Sequence, residues 1–236
     1  MVVSKHSYMA ETEALVINQA RISEQVYDYL RGEIMTGRFA PGERLNLDEL
    51  VERLRVSKMP VKEAVGRLAA EGLIDIQARR GTFISRVDPR ELAETFEVRR
   101  GLEVLAGELA IENVTKLEIA KLRHLITEME SAAEDHNVTV HLEKNFAFHE
   151  LIIELSGNRK LMEIYRLLRA QIHIAGVHYR SENWLNRVEQ EQREHRAIVR
   201  ALEQRDPEAV GRAISDHLKR AKLSLVADVE RTASRG

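Results

Sequence analysis

From Ile22 to Thr36 the apolar residues Ile22, Val26, Tyr29, Leu30 and Ile34 recur at helical spacing, and Gly37 supplies a stop. Phe39-Ala40-Pro41-Gly42-Glu43 reads as a turn. The rhythm returns at Leu47, Leu50, Val51 and Leu54, with Asn46 placed to cap this helix and Glu49 to close a capping box. Arg55-Val56-Ser57 interrupts it, and a second short helix buries Val61, Ala64, Val65 and Leu68. Ser57 stands at its N-cap, Pro60 falls in the first turn where no intrahelical N–H is needed, and Gly72 ends it. The next stretch, IDIQARRGTFIS, is two β-leaning strips around a basic, glycine-containing turn. Two capped helices followed by a hairpin predict a winged helix-turn-helix over residues 20–86. Residues 1–19 show no sustained pattern and are expected to be a mobile arm.

Beyond a short, stiff linker at residues 87–90, the pattern is helical throughout and contains only one further proline inside it, Pro207. Six helices account for it. The first runs from Glu91 to about Glu112, with Leu92, Phe96, Leu102, Leu105 and Leu109 as its expected buried face. Thr115 and Glu118 form a second capping box and open a helix to about Glu134. Helices from about Thr139 to Leu155, Arg159 to His178, and Trp184 to Gln204 follow, and Asp206-Pro207 starts the last, to about Val229. Short connections favour antiparallel packing. The fold class is therefore mainly α: a winged helix-turn-helix, then an all-helical bundle over residues 91–231 in which a cavity can sit between helices.

At 236 residues the chain can hold two modest cores. It has no cysteine, which excludes disulfides and thiolate metal sites and fits a reducing cytoplasm. No apolar run approaches a membrane span, and no signal peptide is evident. Net charge is −2, against a non-specific nucleic-acid coat, but its distribution is uneven: residues 21–86 carry 12 Lys/Arg against 10 Asp/Glu, and residues 87–236 carry 23 against 26. So small an excess leaves DNA affinity to a few placed residues and to two copies binding together.

Those placed residues are Lys58 and Lys62, spaced i, i+4 at the N-terminal end of the second motif helix, and Arg79-Arg80 at the wing tip. Free amides and the macrodipole favour phosphate at that helix end, which is the part that enters a major groove. Two lysines alone describe a solvated face, and a winged helix can also bind protein; the capped pair, tight turn and basic wing together favour DNA. In the bundle His149, His195 and His217 lie on three different helices, each beside an apolar stripe, and Asn145 shares the face of His149 one turn earlier. Three inward imidazoles suit zinc, nickel or copper. By spacing alone they are equally three hydrogen-bonded core histidines. His6, His124, His136, His141, His173 and His178 are read as surface or packing residues.

The segment from Ser23 to Ser85 resembles the DNA-binding domain of GntR transcriptional regulators. EVRRGLEVLAGELA, FHELIIELSGN and EHRAIVRALEQRDPEAVGRAISDHL resemble the helical ligand domain of the FadR subfamily. The resemblance implies a dimeric bacterial regulator, without enzymatic activity, that binds a palindromic operator and whose DNA affinity a small carboxylate effector controls. In the family pattern Ser-Arg-Thr-Pro-Val-Arg-Glu-Ala the DNA-contacting positions are Ser57, Lys58, Met59 and Lys62 here, with Ala78, Arg79 and Arg80 at the wing tip. Both recognition arginines are thus lysines, which lose the planar fork that reads guanine bidentately. A further base-region arginine of several relatives is Asp48 here. The operator is therefore expected to differ from the usual family site.

Resemblance also implies a divalent metal, zinc or nickel, held by His149, His195 and His217, with Asn145 where relatives have an aspartate. Arg99, in the family's RxxLE pattern, would clamp an effector carboxylate, or else pair with Glu103 at i+4. Rival readings are a metal-ion sensor, a metal-free acyl binder, and a metal-dependent hydrolase fused to a DNA-binding head. The hydrolase needs an inward carboxylate base, and none is evident: Glu143 lies off the Asn145/His149 face and Glu194 adjoins His195.

Overall fold

The computed structural model describes residues 8–179 and 184–233, which form two compact units meeting at Arg86/Val87. The first holds α1 (Tyr8–Met35), β1 (Arg44–Leu45), α2 (Leu47–Leu54), α3 (Lys58–Ala70), β2 (Ile74–Gln77) and β3 (Gly81–Ile84). Helix α1 starts well before Ile22, so residues 8–19, expected to be part of a mobile arm, are helical; residues 1–7 lie outside the described residues. This stretch is free of Gly and Pro, so no backbone breaker stops the helix where no apolar stripe marks it.

Asn46 caps α2 as expected: its side-chain oxygen accepts from the Asp48 and Glu49 amides, and its Nδ2 donates to Glu49 Oε1 at 2.7 Å. Arg55, in the left-handed region at φ 54°, makes the tight turn into α3. Ser57 occupies the N-cap of α3 but makes no side-chain capping bond, so its hydroxyl is left exposed rather than committed to the helix. Gly72, at φ 76°, ends α3 where a side chain would be strained. The sheet order is β1-β3-β2, antiparallel throughout, with Gln77 opposite Gly81 across the wing turn. Two-residue β1 follows directly on the turn at residues 39–43 and has no sequence signal of its own. Val26, Leu30, Ile34, Leu50, Val61, Ala64, Val65, Leu68, Leu73 and Ile84 form the core of this unit.

The second unit is a helical bundle of α4 (Pro89–Asn113), α5 (Lys116–Glu134), α6 (Val138–Leu155), α7 (Arg159–His178), α8 (Leu185–Gln204) and α9 (Pro207–Ala233). The expected linker shrinks by two residues. Asp88 accepts from the Arg90 and Glu91 amides and Pro89 takes the first helical position, so the proline that reads as a stiff connector starts α4. Pairing of α4 with α9 is close because position 107 is glycine: a Cβ there would lie 2.6 Å from both Ile214 Cδ1 and Val210 Cγ1. The buried face of α4 is turned from the one expected. Leu92 and Phe96 are inside, but Arg99, Glu103, Ala106 and Ala110 continue the stripe, while Leu105 and Leu109 are exposed. A charged pair inside the bundle breaks the hydropathy pattern that otherwise locates a core.

Candidate functional site

In the first unit the residues expected at DNA share one property: Ser57, Lys58, Met59, Lys62, Arg79 and Arg80 are all exposed. Met59, at 59% exposure, is an apolar side chain left at the tip of α3 with no core to enter. Arg79 sits at φ 63° in the wing turn, closed by the Arg80 amide donating to the Gln77 carbonyl at 3.1 Å. Lys58 Nζ donates to Asp48 Oδ1 at 2.6 Å, bridging the two motif helices. Asp48 therefore sets a negative charge beside the leading end of α3.

In the second unit His149 on α6, His195 on α8 and His217 on α9 are fully or almost fully buried, and one ring nitrogen of each lies within 4.8 Å of those of the others. Their outer nitrogens have acceptors. His149 Nδ1 donates to Glu103 Oε2 at 2.7 Å, His217 Nδ1 to Glu194 Oε2 at 2.9 Å, and His195 Nδ1 faces Gln192 Oε1 at 3.4 Å. Burial raises the Glu103 carboxyl, but Arg99 and His149 outweigh it and hold the group at about 2, so it is ionised and can only accept. Burial also pushes His149 below its ordinary value and His195 and His217 well below theirs, so the imidazoles are neutral.

These facts fix the tautomers. With protons on Nδ1, His149 Nε2 and His217 Nε2 point lone pairs at each other across 3.2 Å, and His195 Nε2 is buried without a partner. Opposed lone pairs repel unless a proton or cation lies between them. Nitrogen ligands about 2.0–2.1 Å from a tetrahedral zinc sit at about this mutual distance. Carboxylates behind ligating imidazoles are also the usual second layer of such sites. The donor set therefore fits a borderline divalent ion.

Arg99 makes the expected ion pair with Glu103 and also faces the cavity. Its Nε donates to Glu103 Oε1 at 2.5 Å, while Nη2 is buried without a hydrogen-bond partner and the residue lines a cavity shared with His217, Asn145 and Arg220. Arg220 Nε donates to both oxygens of Glu194 at 2.7 Å and leaves its own Nη2 buried and unpartnered. Sequence reasoning missed the inward acids. Glu103 appeared only as a partner of Arg99, Glu194 as a neighbour of His195, and Glu191, buried and lining the cavity, was not singled out. Its signal was its place one turn before His195. His141, read among surface or packing residues, is fully buried and contacts Glu191 at 3.3 Å.

Residues 22–84 match the model for bacterial regulatory proteins of the gntR family, and residues 94–220, over half of the chain, match the FCD domain. The chain belongs to the GntR family. This GntR-family protein is 32% identical over 197 residues to the uncharacterized HTH-type transcriptional regulator YdhC of Bacillus subtilis, covering 82% of this chain and 86% of that one. It is 28% identical to the HTH-type transcriptional repressor RspR of Escherichia coli, covering 86% and 89%. Among solved structures, E. coli McbR/YncC superposes with a TM-score of 0.75 at 25% identity, over 86% of this chain and 96% of that one. The matching domains and these relatives are regulators, so the GntR-family protein is a DNA-binding transcriptional regulator of the FCD type and not an enzyme. Among the described residues no helix is long and apolar enough to cross a membrane.

Proposed function

We propose that this regulator is a homodimeric repressor of the FadR subfamily that acts on chromosomal DNA in the cytoplasm. In this reading Ser57, Lys58, Met59, Lys62, Arg79 and Arg80 of two copies meet the half-sites of a palindromic operator, and a small organic acid bound in the helical unit changes DNA affinity. His149, His195 and His217 hold zinc or nickel, with Asn145 at the edge of the site, and Arg99 Nη2 receives a carboxylate of the effector. The bound ion would supply Lewis acidity toward an effector oxygen. The chain's own residues do the rest: Glu103 and Glu194 orient the imidazoles, and Arg99 aligns the acid. Repression is supported by the character of RspR, and the switch requires that the acid bind the DNA-fitting and non-fitting states with different affinity.

The observation that carries the reading is the pair of Nε2 lone pairs held face to face by two carboxylates, beside a third Nε2 without a partner. Elemental analysis by plasma mass spectrometry, with native mass spectrometry of the same sample, tests it. Close to one zinc or nickel per chain is expected, lost in His195→Ala while the metal-free protein keeps its operator affinity. A wild-type protein that takes up no metal after incubation with either ion would overturn the metal reading.

A further inference from the structure

The metal reading leaves a charge question. Three neutral imidazoles give a divalent ion no negative ligand, and Asn145 is an amide. Helix α6 presents His141, Asn145 and His149 at i, i+4 and i+8, a single face, and α8 presents Glu191 and His195 at i and i+4. The two faces meet as rungs. His149 and His195 form one, with ring centres 5.4 Å apart; one turn away Asn145 Nδ2 donates to Glu191 Oε1 at 2.7 Å, and His141 Nε2 lies 3.3 Å from the same oxygen. Glu191 is 6% exposed and lines the cavity together with His217.

We propose that Glu191 is the carboxylate ligand of the metal site, taking on α8 the part that Asn145 cannot take on α6. The proposal rests on the metal reading above and identifies the ligand that completes it. Glu103 and Glu194 each accept from an arginine and from the outer nitrogen of a cluster histidine, which places them behind the imidazoles. Glu191 instead stands one helical turn from His195 on the same face, a spacing at which two side chains of one helix reach a common point. The tight cluster is formed by the imidazoles, so Glu191 joins them by leaving the Asn145 amide. Asn145 and His141 hold the carboxylate close until then.

The two candidate ligands on this rung make opposite forecasts for zinc alone, measured by competition with a chromophoric chelator on the full-length protein. If Glu191 is the ligand, Glu191→Gln lowers zinc affinity by at least about tenfold, Asn145→Ala, which removes the contact that Glu191 must leave, does not lower it, and Asn145→Asp in the Glu191→Gln background restores it. Melting of each variant in excess chelator checks that the fold is kept. Should Glu191→Gln fail to fold, the double variant reads the same question, because it moves the carboxylate across one 2.7 Å contact; zinc affinity near wild type supports the proposal and loss of binding overturns it. Wild-type affinity in Glu191→Gln, or a large loss in Asn145→Ala alone, overturns the assignment of Glu191 and leaves the histidine site standing. Absence of zinc binding by the wild type removes the site and the assignment together.

Discussion

Burial of the cluster histidines makes the bundle sensitive to mild acid. Desolvation lowers the folded-state pKa of His149, His195 and His217 from 6.5, and an unfolded histidine titrates near that ordinary value. Below it the unfolded chain binds protons that the folded chain does not, so this stability is present above about pH 6.5 and is lost as pH falls. Glu103 works in a different window: its carboxyl is lowered from 4.5 to about 2, so its contribution is intact above 4.5 and is lost only as pH falls toward 2. In excess chelator, thermal melts from about pH 7.5 to about pH 5.5 should therefore show falling stability, and His195→Gln should flatten the fall. A flat profile in the wild type would mean that the imidazoles are not held neutral. The three histidines were readable in sequence because each sat on an apolar stripe. Their acids were not, because Glu103 and Glu191 look like solvent residues on a helix until the partner helices are in place.

Helix α3 shows what an element can add to its residues. Its boundaries and buried stripe follow from local chemistry and are legible in the sequence, although the Ser57 side chain at its N-cap makes no capping bond. The contact between its leading end and α2 depends on how the two helices pack, and Lys58 consequently meets Asp48. An exposed ion pair of this kind is worth about 1 kcal/mol or less, enough to tax a lysine if, as proposed, it turns to DNA. Asp48→Ala should therefore raise operator affinity up to about fivefold. Lys62 lies one turn on and exposed, and Lys62→Ala should weaken binding and reduce the salt slope by about one. Fluorescence anisotropy on operator DNA across a salt series measures both. Weaker binding by Asp48→Ala would show that the aspartate contacts DNA productively, and an unchanged slope in Lys62→Ala would misplace the recognition helix.

At the scale of the molecule, the turned face of α4 is the decisive feature. Because Arg99 and Glu103 occupy the inside of the bundle, Val98, Leu105 and Leu109 point outward along one side of α4, and Ile164 and Leu167 are exposed on α7, which packs beside it. Leu105 at 45% and Leu167 at 64% exposure are large apolar groups, on neighbouring helices, that a solitary bundle has no reason to leave in water. In the proposed homodimer a second copy would cover such a face with the same face, which is how a two-fold interface is built, and would bring two DNA-binding units to one palindrome. Leu105→Glu puts a charge in that interface without touching the cavity, whose lining lies on the opposite side of α4. Light scattering should then report a monomer, zinc binding should be retained, and operator affinity should fall by about 10²–10⁴ as the second head loses its tether. The three readouts separate the causes. A variant that remains dimeric puts the interface elsewhere, and one that loses zinc as well has lost the bundle rather than its partner.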